Sequence, residues 1–105
     1  MITFEEFRLI FDIEKCCSEI LFSINGSAKF SNCWMGTSLD KNTGKYGYWF
    51  GLTQDGNNAY DFLTFDEFAN AKVFDGRSLV EVWENVTLLE INACDASEML
   101  KLYLP

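Results

Sequence analysis

Histidine is absent from this sequence of 105 residues. Its absence excludes Ser-His-Asp and Cys-His catalysis, histidine metal ligands, and the side chain that most often acts as an acid or base near neutral pH. The glycine-rich phosphate-binding motifs and the G-x-S-x-G nucleophile motif are missing as well. We therefore expect no catalytic residue of these kinds, no cofactor and no metal.

Proline occurs once, at Pro105, and no Pro/Gly/Ser-rich linker divides the chain, so we expect a single domain over residues 1–105. The four cysteines form no C-x-x-C pair, which favours free thiols in a reducing cytoplasm over a disulfide framework. The first residues lack a basic signal region, and apolar runs are far shorter than a membrane span. These features predict a cytoplasmic protein without membrane contact.

Negative charge is in excess and unevenly spread along the chain. The formal net charge is −8; residues 1–52 hold six acidic and five basic residues, whereas residues 53–105 hold ten acidic and three basic residues. Nucleic acids and anionic membranes are poor partners because phosphate binding draws on clustered Lys and Arg. A basic protein is a compatible partner, although acidity alone also keeps a small protein in solution.

Helix starts are marked by capping boxes, in which Thr, Ser or Asp precedes Glu by three residues. An apolar residue before the first two caps, Ile2 or Leu63, also predicts a hydrophobic staple with Phe7 or Phe68. The predicted caps are Thr3, Thr64, Ser78 and Asp95. The predicted helices cover about 4–17, 65–71, 79–84 and 96–101.

Five stretches have the β-branched and aromatic composition of strands. Asn25-Gly26 predicts a tight hairpin between the first two, and a loop over residues 36–44 precedes the third. The predicted strands cover about 19–24, 29–35, 46–53, 59–63 and 86–91. Together these elements predict an α+β fold, an antiparallel sheet of about five strands with an N-terminal helix and two or three short helices packed on it.

The turn at Asp55-Gly56-Asn57 decides which residues of the third and fourth strands share a face. A two-residue loop places Asp61 opposite Phe50, whereas a three-residue loop pairs Phe50 with Phe62. We prefer the three-residue loop because it keeps the acid away from apolar neighbours. It leaves Trp49 on the opposite face, as the aromatic residue expected to be exposed. The predicted aromatic face consists of Tyr48, Phe50, Leu52, Tyr60 and Phe62.

Two acidic features resemble catalytic or metal-binding motifs. The Asp-Gly sequences suggest an EF-hand, but with Gly56 at the sixth position of the loop the first and twelfth positions are Gly51 and Phe62. Both key carboxylates are therefore missing, and we predict no calcium site. Asp61 is the candidate for catalysis by carboxylates alone, although an acid in such a strand is more often solvated.

The most distinctive run extends from Phe74 to Ile91, where a turn, a Ser-Leu-x-Glu-x-Trp helix and a β-strand follow one another. It resembles small, acidic, uncharacterised bacterial proteins, some of which sit beside polymorphic toxins as immunity proteins. The resemblance implies a protein that inhibits a protein partner by binding it. No functional residue of that class carries over to this run.

Three functions remain open at this point. The first is a non-enzymatic binding protein, an immunity-type inhibitor that holds a basic protein with the acids of the second half. Its predicted partner-binding residues are Trp49, Asp55, Asp61, Asp66, Glu67, Asp75, Glu81 and Glu84. The second is a structural or regulatory subunit that self-associates through an aromatic sheet face or an exposed sheet edge. The third is an enzyme that uses two carboxylates in one concave site.

Overall fold

The computed structural model describes residues 2–53 and 58–105. Within those residues the protein is α+β, with one antiparallel sheet of six strands and four helices, one of them N-terminal. The predicted fold class is confirmed, with one strand more than expected. No helix in the described part of the chain is long and apolar enough to cross a membrane.

The strands are β1 (Glu19–Ile24), β2 (Cys33–Asp40), β3 (Lys45–Gly51), β4 (Ala59–Phe62), β5 (Val86–Ile91) and β6 (Cys94–Asp95). Helix α1 (Phe4–Arg8) continues as a π-helical turn (Leu9–Ile13), and α3 (Leu79–Val82) continues as a 3₁₀ turn (Trp83–Asn85). The remaining helices are α2 (Phe65–Asn70) and α4 (Ala96–Tyr103). The strand order in the sheet is β4-β3-β2-β1-β5-β6, so the chain returns to the far side of β1 after building the first four strands.

The core lies between the helices and one face of the sheet, which we call the helix face. Its centre is a series of phenylalanine rings contributed by α1, α2 and β3. The ring of Phe50 stacks on Phe68 at 4.2 Å, Phe68 stacks on Phe11 at 5.3 Å, and Phe11 stacks on Phe7 at 4.8 Å. All four rings are at most 1% exposed. Burial of these rings is the main term holding the helices on the sheet.

The predicted capping boxes account for the helix starts. Thr3 Oγ1 accepts the backbone N–H of Glu6 at 3.1 Å, and Glu6 Oε1 accepts the backbone N–H of Thr3 at 2.9 Å. Ser78 and Glu81 form the same reciprocal pair, at 3.2 and 3.0 Å. At the other two starts the cap side chain accepts the backbone N–H three residues on, as seen at Thr64 and Asp95.

The first helix is shorter than predicted and ends near Ile13 rather than Cys17. The chain leaves the helix at Lys15, whose φ of +55° is left-handed. The Lys15 amine donates to the backbone carbonyl of Asp12 and, at 3.0 Å, to the hydroxyl of Tyr48. This contact satisfies the helix end and fixes it to β3, a long-range interaction that helical periodicity cannot reveal.

The connection between β1 and β2 is longer than a tight hairpin. The Asn25-Gly26 turn forms, with Gly26 at φ +81° and a hydrogen bond from Ser27 N to Ile24 O of 3.1 Å. The partner strand nevertheless begins at residue 33 instead of about residue 29. The intervening segment inserts Phe30 into the core, 5% exposed and edge-on to Phe74 at 5.3 Å. Burial of that ring displaces the start of the strand.

The predicted loop over residues 36–44 is wrong, because β2 continues to Asp40 and only residues 41–44 connect it to β3. Gly36 lies inside the strand, opposite Trp49. A Cβ placed on Gly36 would lie 2.2 Å from the carbonyl oxygen of Ser18 and 2.5 Å from Cζ2 of Trp49. Glycine is therefore required here for close packing rather than for a turn.

The β3–β4 register differs from both registers considered above. Phe50 pairs with Tyr60, and Trp49 pairs with Asp61. The predicted pairing of Phe50 with Phe62 is wrong by two residues, and a two-residue shift leaves every side chain on its predicted face. Phe50 is accordingly buried at 1% exposure. The residues of the predicted turn, Asp55, Gly56 and Asn57, lie outside the described residues.

The segment after β4 corrects the second predicted staple. Leu63 is 84% exposed and makes no staple with Phe68, which is fully buried. Side chains alternate along a strand, so the core-facing position falls on Phe62 and the next residue points away. The first ring that α2 buries is Phe65, at 5% exposure.

Candidate functional site

The face of the sheet opposite the helix face is only partly covered. Because strand side chains alternate, the residues between the buried ones share this second face. We call it the open face and define it by the following residues: Glu19, Leu21 and Ser23 of β1; Trp34, Gly36, Ser38 and Asp40 of β2; Lys45, Gly47, Trp49 and Gly51 of β3; Ala59 and Asp61 of β4; Thr87 and Glu90 of β5. Aromatic and acidic residues lie side by side on this face.

Two tryptophans, Trp34 of β2 and Trp49 of β3, lie close together on the open face, and we call this pair the platform. Trp34 pairs with Gly51, and Trp49 pairs with Gly36. A Cβ placed on Gly51 would lie 3.8 Å from Cβ of Trp34 and 3.9 Å from Cζ3 of Trp49, so the two residues flank this glycine. The indole of Trp49 lies across Gly36, where no side chain intervenes. Gly36 thus lets the Trp49 ring lie directly on the sheet backbone.

The third tryptophan, Trp83, belongs to the core and differs from the other two in its burial and contacts. Trp83 is 6% exposed, packs on the rings of Phe4 and Phe7, and donates its indole N–H to the carbonyl oxygen of Ile2 at 3.2 Å. Trp34 and Trp49 are half-buried. Within residues 2–53 and 58–105 neither has a ring partner or a hydrogen bond from its indole N–H. Because no buried side-chain nitrogen among the described residues lacks a hydrogen-bond partner, the indole N–H groups of Trp34 and Trp49 reach solvent.

The open face is also acidic. Over strands β1 to β5 it carries four acids and one base, a formal charge of −3. In the described part of the chain none of these four carboxylates lies within 4 Å of a basic side chain. Glu19 borders a shallow depression of about 500 Å³ over the platform. That depression is lined by Glu19, Asn32, Trp34, Trp49, Gly51 and Thr53. A carboxylate beside half-buried indole rings is an arrangement that attracts cations.

Most of the other acids predicted to bind a partner already have partners in the fold. Asp66 lies 3.8 Å from the Arg8 guanidinium, and Asp75 lies 2.6 Å from the Lys29 amine. Glu81 binds the Lys72 amine. The Glu67 carboxylate accepts a hydrogen bond from the Thr64 hydroxyl at 3.1 Å, whereas Glu84 is exposed on the 3₁₀ turn. Of the predicted acids that the structure describes, Asp61 is the one that lies beside Trp49 on the open face.

The Glu81 ion pair predicts a specific pH dependence. The hydrogen bond from Lys72, together with one from the backbone of Ser78, lowers the pKa of Glu81 to about 2 from an ordinary 4.5. A carboxyl group whose pKa is lower in the folded than in the unfolded protein stabilises the fold fully at pH values above its unfolded pKa. This contribution is lost as the pH falls towards its folded pKa. We expect Glu81→Gln to lower the urea midpoint near neutral pH, with the difference from the unsubstituted protein disappearing between about pH 5 and pH 2.

The matched control for this measurement is Glu84→Gln, an equal charge change three residues further on. Glu84 has no ion pair within the described residues. Its replacement is expected to leave the urea midpoint nearly unchanged at each pH. A Glu81→Gln effect that stays constant down to about pH 2 would show that the carboxylate charge contributes nothing.

A second polar cluster joins the end of the π-helical turn to β3. The Tyr48 hydroxyl donates to Asp12, and Lys15 donates to Tyr48 at 3.0 Å and to Asp12 Oδ1 at 3.3 Å. Burial and the hydrogen bond to Asp12 raise the pKa of Tyr48. Burial opposes charge on Lys15, but the hydrogen bonds to Tyr48 and Asp12 outweigh it and raise the pKa of Lys15. Neither group is a base near neutral pH, and the cluster has a structural role.

The third function required two carboxylates in one concave site. Asp40 and Asp61 both border a depression of about 430 Å³ near the β2–β3 turn. Both are exposed to solvent.

The cysteines are four free thiols. Burial raises the pKa of Cys17 to about 12 and that of Cys33 to about 11, so both remain protonated at neutral pH. Cys16 is half-buried and Cys94 is exposed. No group of three or more His, Cys, Asp or Glu side chains among the described residues is placed to hold a metal ion.

Sequence reasoning identified Trp49 and Asp61 but missed Trp34, Glu19 and Glu90. The pattern Gly47-Tyr48-Trp49-Phe50-Gly51 indicates the position of Trp49, whereas the missed residues join this face only through strand pairing. Comparison with known proteins finds no matching family model, no similar curated protein and no similar solved structure. The fold and this face together describe an α+β protein whose sheet has an acidic open face that carries two tryptophans.

Proposed function

We propose that the protein is a non-enzymatic binding protein that holds a basic protein partner on its open face. The observation that carries the proposal is the Trp34–Trp49 platform among four carboxylates without ion partners in the described residues. Tryptophan dominates the energetic centres of protein interfaces, and acids of one sign steer a basic partner towards the surface. An immunity-type inhibitor is the form of this function that the resemblance of residues 74–91 supports.

The shape of the open face suits a protein partner better than a small molecule. Glycines at positions 36, 47 and 51 keep the centre of the face low and flat, and the depression over the platform is shallow. The molecule measures 35 by 31 Å along its two longer axes, which leaves room for an interface of about 800 Å² on each side. Small-molecule sites are instead deep and mostly apolar.

Inhibition follows from the charge of the face. A partner that acts on a polyanion presents clustered Lys and Arg to its substrate, because phosphate contacts dominate such binding. A surface of formal charge −3 with a tryptophan platform competes for the same cluster. We propose that the open face acts by covering that basic surface.

The test is capture of a partner from extracts of the source cells on the immobilised protein. The pair Asp61→Asn with Glu90→Gln removes two charges from the open face, and Glu5→Gln with Glu84→Gln removes two charges elsewhere. We expect a captured protein rich in Lys and Arg whose affinity falls at least about tenfold with the first pair and less than about twofold with the second. If only the second pair of substitutions abolished capture, the partner would bind the acids outside the open face.

The variant Trp49→Ala tests the apolar contribution to capture of the same partner. The indole is expected to act as an anchor, so its removal should weaken capture by at least about tenfold even at high salt, where charge steering is screened. Capture that survives both the charge change and the loss of Trp49, or capture of proteins with no basic excess, would refute the proposed function.

Self-association is the second candidate, and one observation favours it. Strand β4 is an edge of the sheet, Tyr60 on it is 36% exposed, and the adjacent Leu63 is 84% exposed. An exposed edge strand beside an apolar side chain is a template for pairing with a second copy. Sedimentation velocity decides this point, since a single monomeric species at the highest attainable concentration would exclude it.

A further inference from the structure

We propose that the depression over Trp34 and Trp49 binds one arginine side chain of the partner, with the guanidinium stacked on the indole platform and paired with Glu19. This inference rests on the proposed function and adds the chemical group that the face recognises. It starts from the geometry of the depression, which brings one carboxylate and two indole rings to the same small area of the open face.

Glu19 is held firmly at the rim of the depression. Its backbone carbonyl accepts a hydrogen bond from Asn92 N at 2.9 Å, and its backbone N–H donates to Asn92 Oδ1 at 3.3 Å. Glu19 also pairs with Gly36, the glycine beneath the Trp49 indole. The carboxylate is therefore attached to a fixed backbone next to the ring, so only the side-chain torsions of Glu19 remain to be ordered when a cation contacts both groups.

The same combination of groups already holds cations elsewhere in this molecule. The Arg8 guanidinium lies 5.2 Å from the centre of the Phe65 ring while its nitrogens lie 3.5 Å from Asp12 and 3.8 Å from Asp66. The Lys15 amine lies 4.8 Å from the Tyr46 ring. In both places an aromatic ring and a carboxylate share one basic side chain of the chain itself.

On the open face the ring and the carboxylate are present, but the cation is not. Within residues 2–53 and 58–105 no basic side chain lies over Trp34 or Trp49 or within 4 Å of Glu19. Tryptophan is the best of the aromatic residues at attracting a cation. The missing basic group is thus the element that a partner would supply.

Arginine fits this surface better than lysine. The guanidinium is planar, is weakly hydrated, stacks on aromatic faces and offers a fork of N–H donors to a carboxylate. Lysine presents a compact, strongly hydrated ammonium that gains less from a flat ring. The indole of Trp49 lies against the backbone at Gly36, and a planar cation makes a larger contact with such a ring than a compact ammonium does.

An apolar occupant is disfavoured by the surrounding charge. Covering the platform with an apolar side chain would bury Glu19 without a compensating cation, and burying an unpaired carboxylate is strongly unfavourable. The fit of a guanidinium therefore follows from charge complementarity as well as from shape.

The experiment is an NMR titration of the ¹⁵N-labelled protein that follows the three indole N–H signals. The probes are the capped tripeptides Gly-Arg-Gly, Gly-Lys-Gly and Gly-citrulline-Gly, because citrulline has nearly the shape of arginine without its charge. We expect saturable shifts of Trp34 and Trp49 with the arginine peptide, at least about fivefold weaker binding of the lysine peptide, and no saturable shift with citrulline. Trp83 is the internal control, since its N–H is bonded to Ile2 in the core.

Glu19→Gln tests the carboxylate in the same titration. It is expected to weaken binding of the arginine peptide by about fivefold, whereas Glu84→Gln leaves binding within about twofold. An unchanged Trp83 signal confirms that each variant is folded. Equal binding of the citrulline peptide, no shift of Trp34 and Trp49, or shifts that follow protein concentration without peptide would overturn the inference, the last because a second copy then occupies the face.

Failure of this inference is distinguishable from failure of the proposed function. If the arginine peptide does not bind but a basic partner is still captured in a manner that depends on Asp61 and Glu90, the open face binds its partner without an arginine pocket. If neither occurs, the proposed function is refuted as well.

Discussion

Replacing Gly36 with alanine is expected to lower the free energy of unfolding by about 3 kcal/mol, a large effect for the addition of one methyl group. The new Cβ would lie 2.2 Å from the carbonyl oxygen of Ser18 and 2.5 Å from the Trp49 ring. The ring can move, but the Ser18 carbonyl belongs to the backbone just before β1 and cannot rotate away. The measurement is urea unfolding followed by tryptophan fluorescence.

Gly47→Ala is the matched control, since Gly47 lies on the same strand face of the same hairpin. A Cβ there would meet the Ser38 hydroxyl at 3.2 Å, a side chain that can rotate. We expect a change in the free energy of unfolding within about 1 kcal/mol, of either sign. Equal effects at Gly36 and Gly47 would show that the Ser18 backbone relaxes and that Gly36 is not a packing requirement.

Phe50→Ala is expected to destabilise the protein most, by about 3–5 kcal/mol. Phe50 is 1% exposed, stacks on Phe68 at 4.2 Å and meets Phe74 edge-on at 5.4 Å, so its removal leaves a cavity where three elements meet. A domain of this size has about 5–15 kcal/mol of stability in total, so the variant should unfold at much lower urea concentration.

Tyr60→Ala is the control for Phe50→Ala, because Tyr60 is the residue paired with Phe50 on the edge strand β4. Tyr60 is 36% exposed, and its truncation is expected to cost about 1 kcal/mol or less. If the two truncations cost the same, the series of rings from Phe50 to Phe7 is not the centre of the core. Thermal unfolding of both variants provides an independent readout.

The parts of the fold that sequence predicted well depend on neighbours in the chain. Thr3 and Ser78 start helices through hydrogen bonds to residues three positions on, so their function is visible in a short window. The alternation around Phe50 is likewise local, and it survives the two-residue error in register. The start of β2 was mispredicted because Phe30 packs on Phe74, 44 positions away.

The candidate site was only partly predictable for a related reason. Along the chain, the excess of negative charge lies in the second half. In space, Asp66 and Asp75 of that half meet Arg8 and Lys29 of the first half, so their charge is already compensated. Glu19, which belongs to the nearly neutral half, is left without a basic neighbour on the open face among the described residues. Sequence composition cannot show which acids are paired across such distances.

The position of β1 in the middle of the sheet also bears on how the chain folds. Ile20 pairs with Met35 on one side and with Ile91, 71 residues later, on the other. The first pairing closes a short loop, whereas the second requires nearly the whole chain to be in place and carries a larger loop-closure entropy. We expect the meander of β1 to β4 to form early and the β1–β5 pairing to limit the folding rate, so that Ile91→Val slows refolding measured by stopped-flow fluorescence.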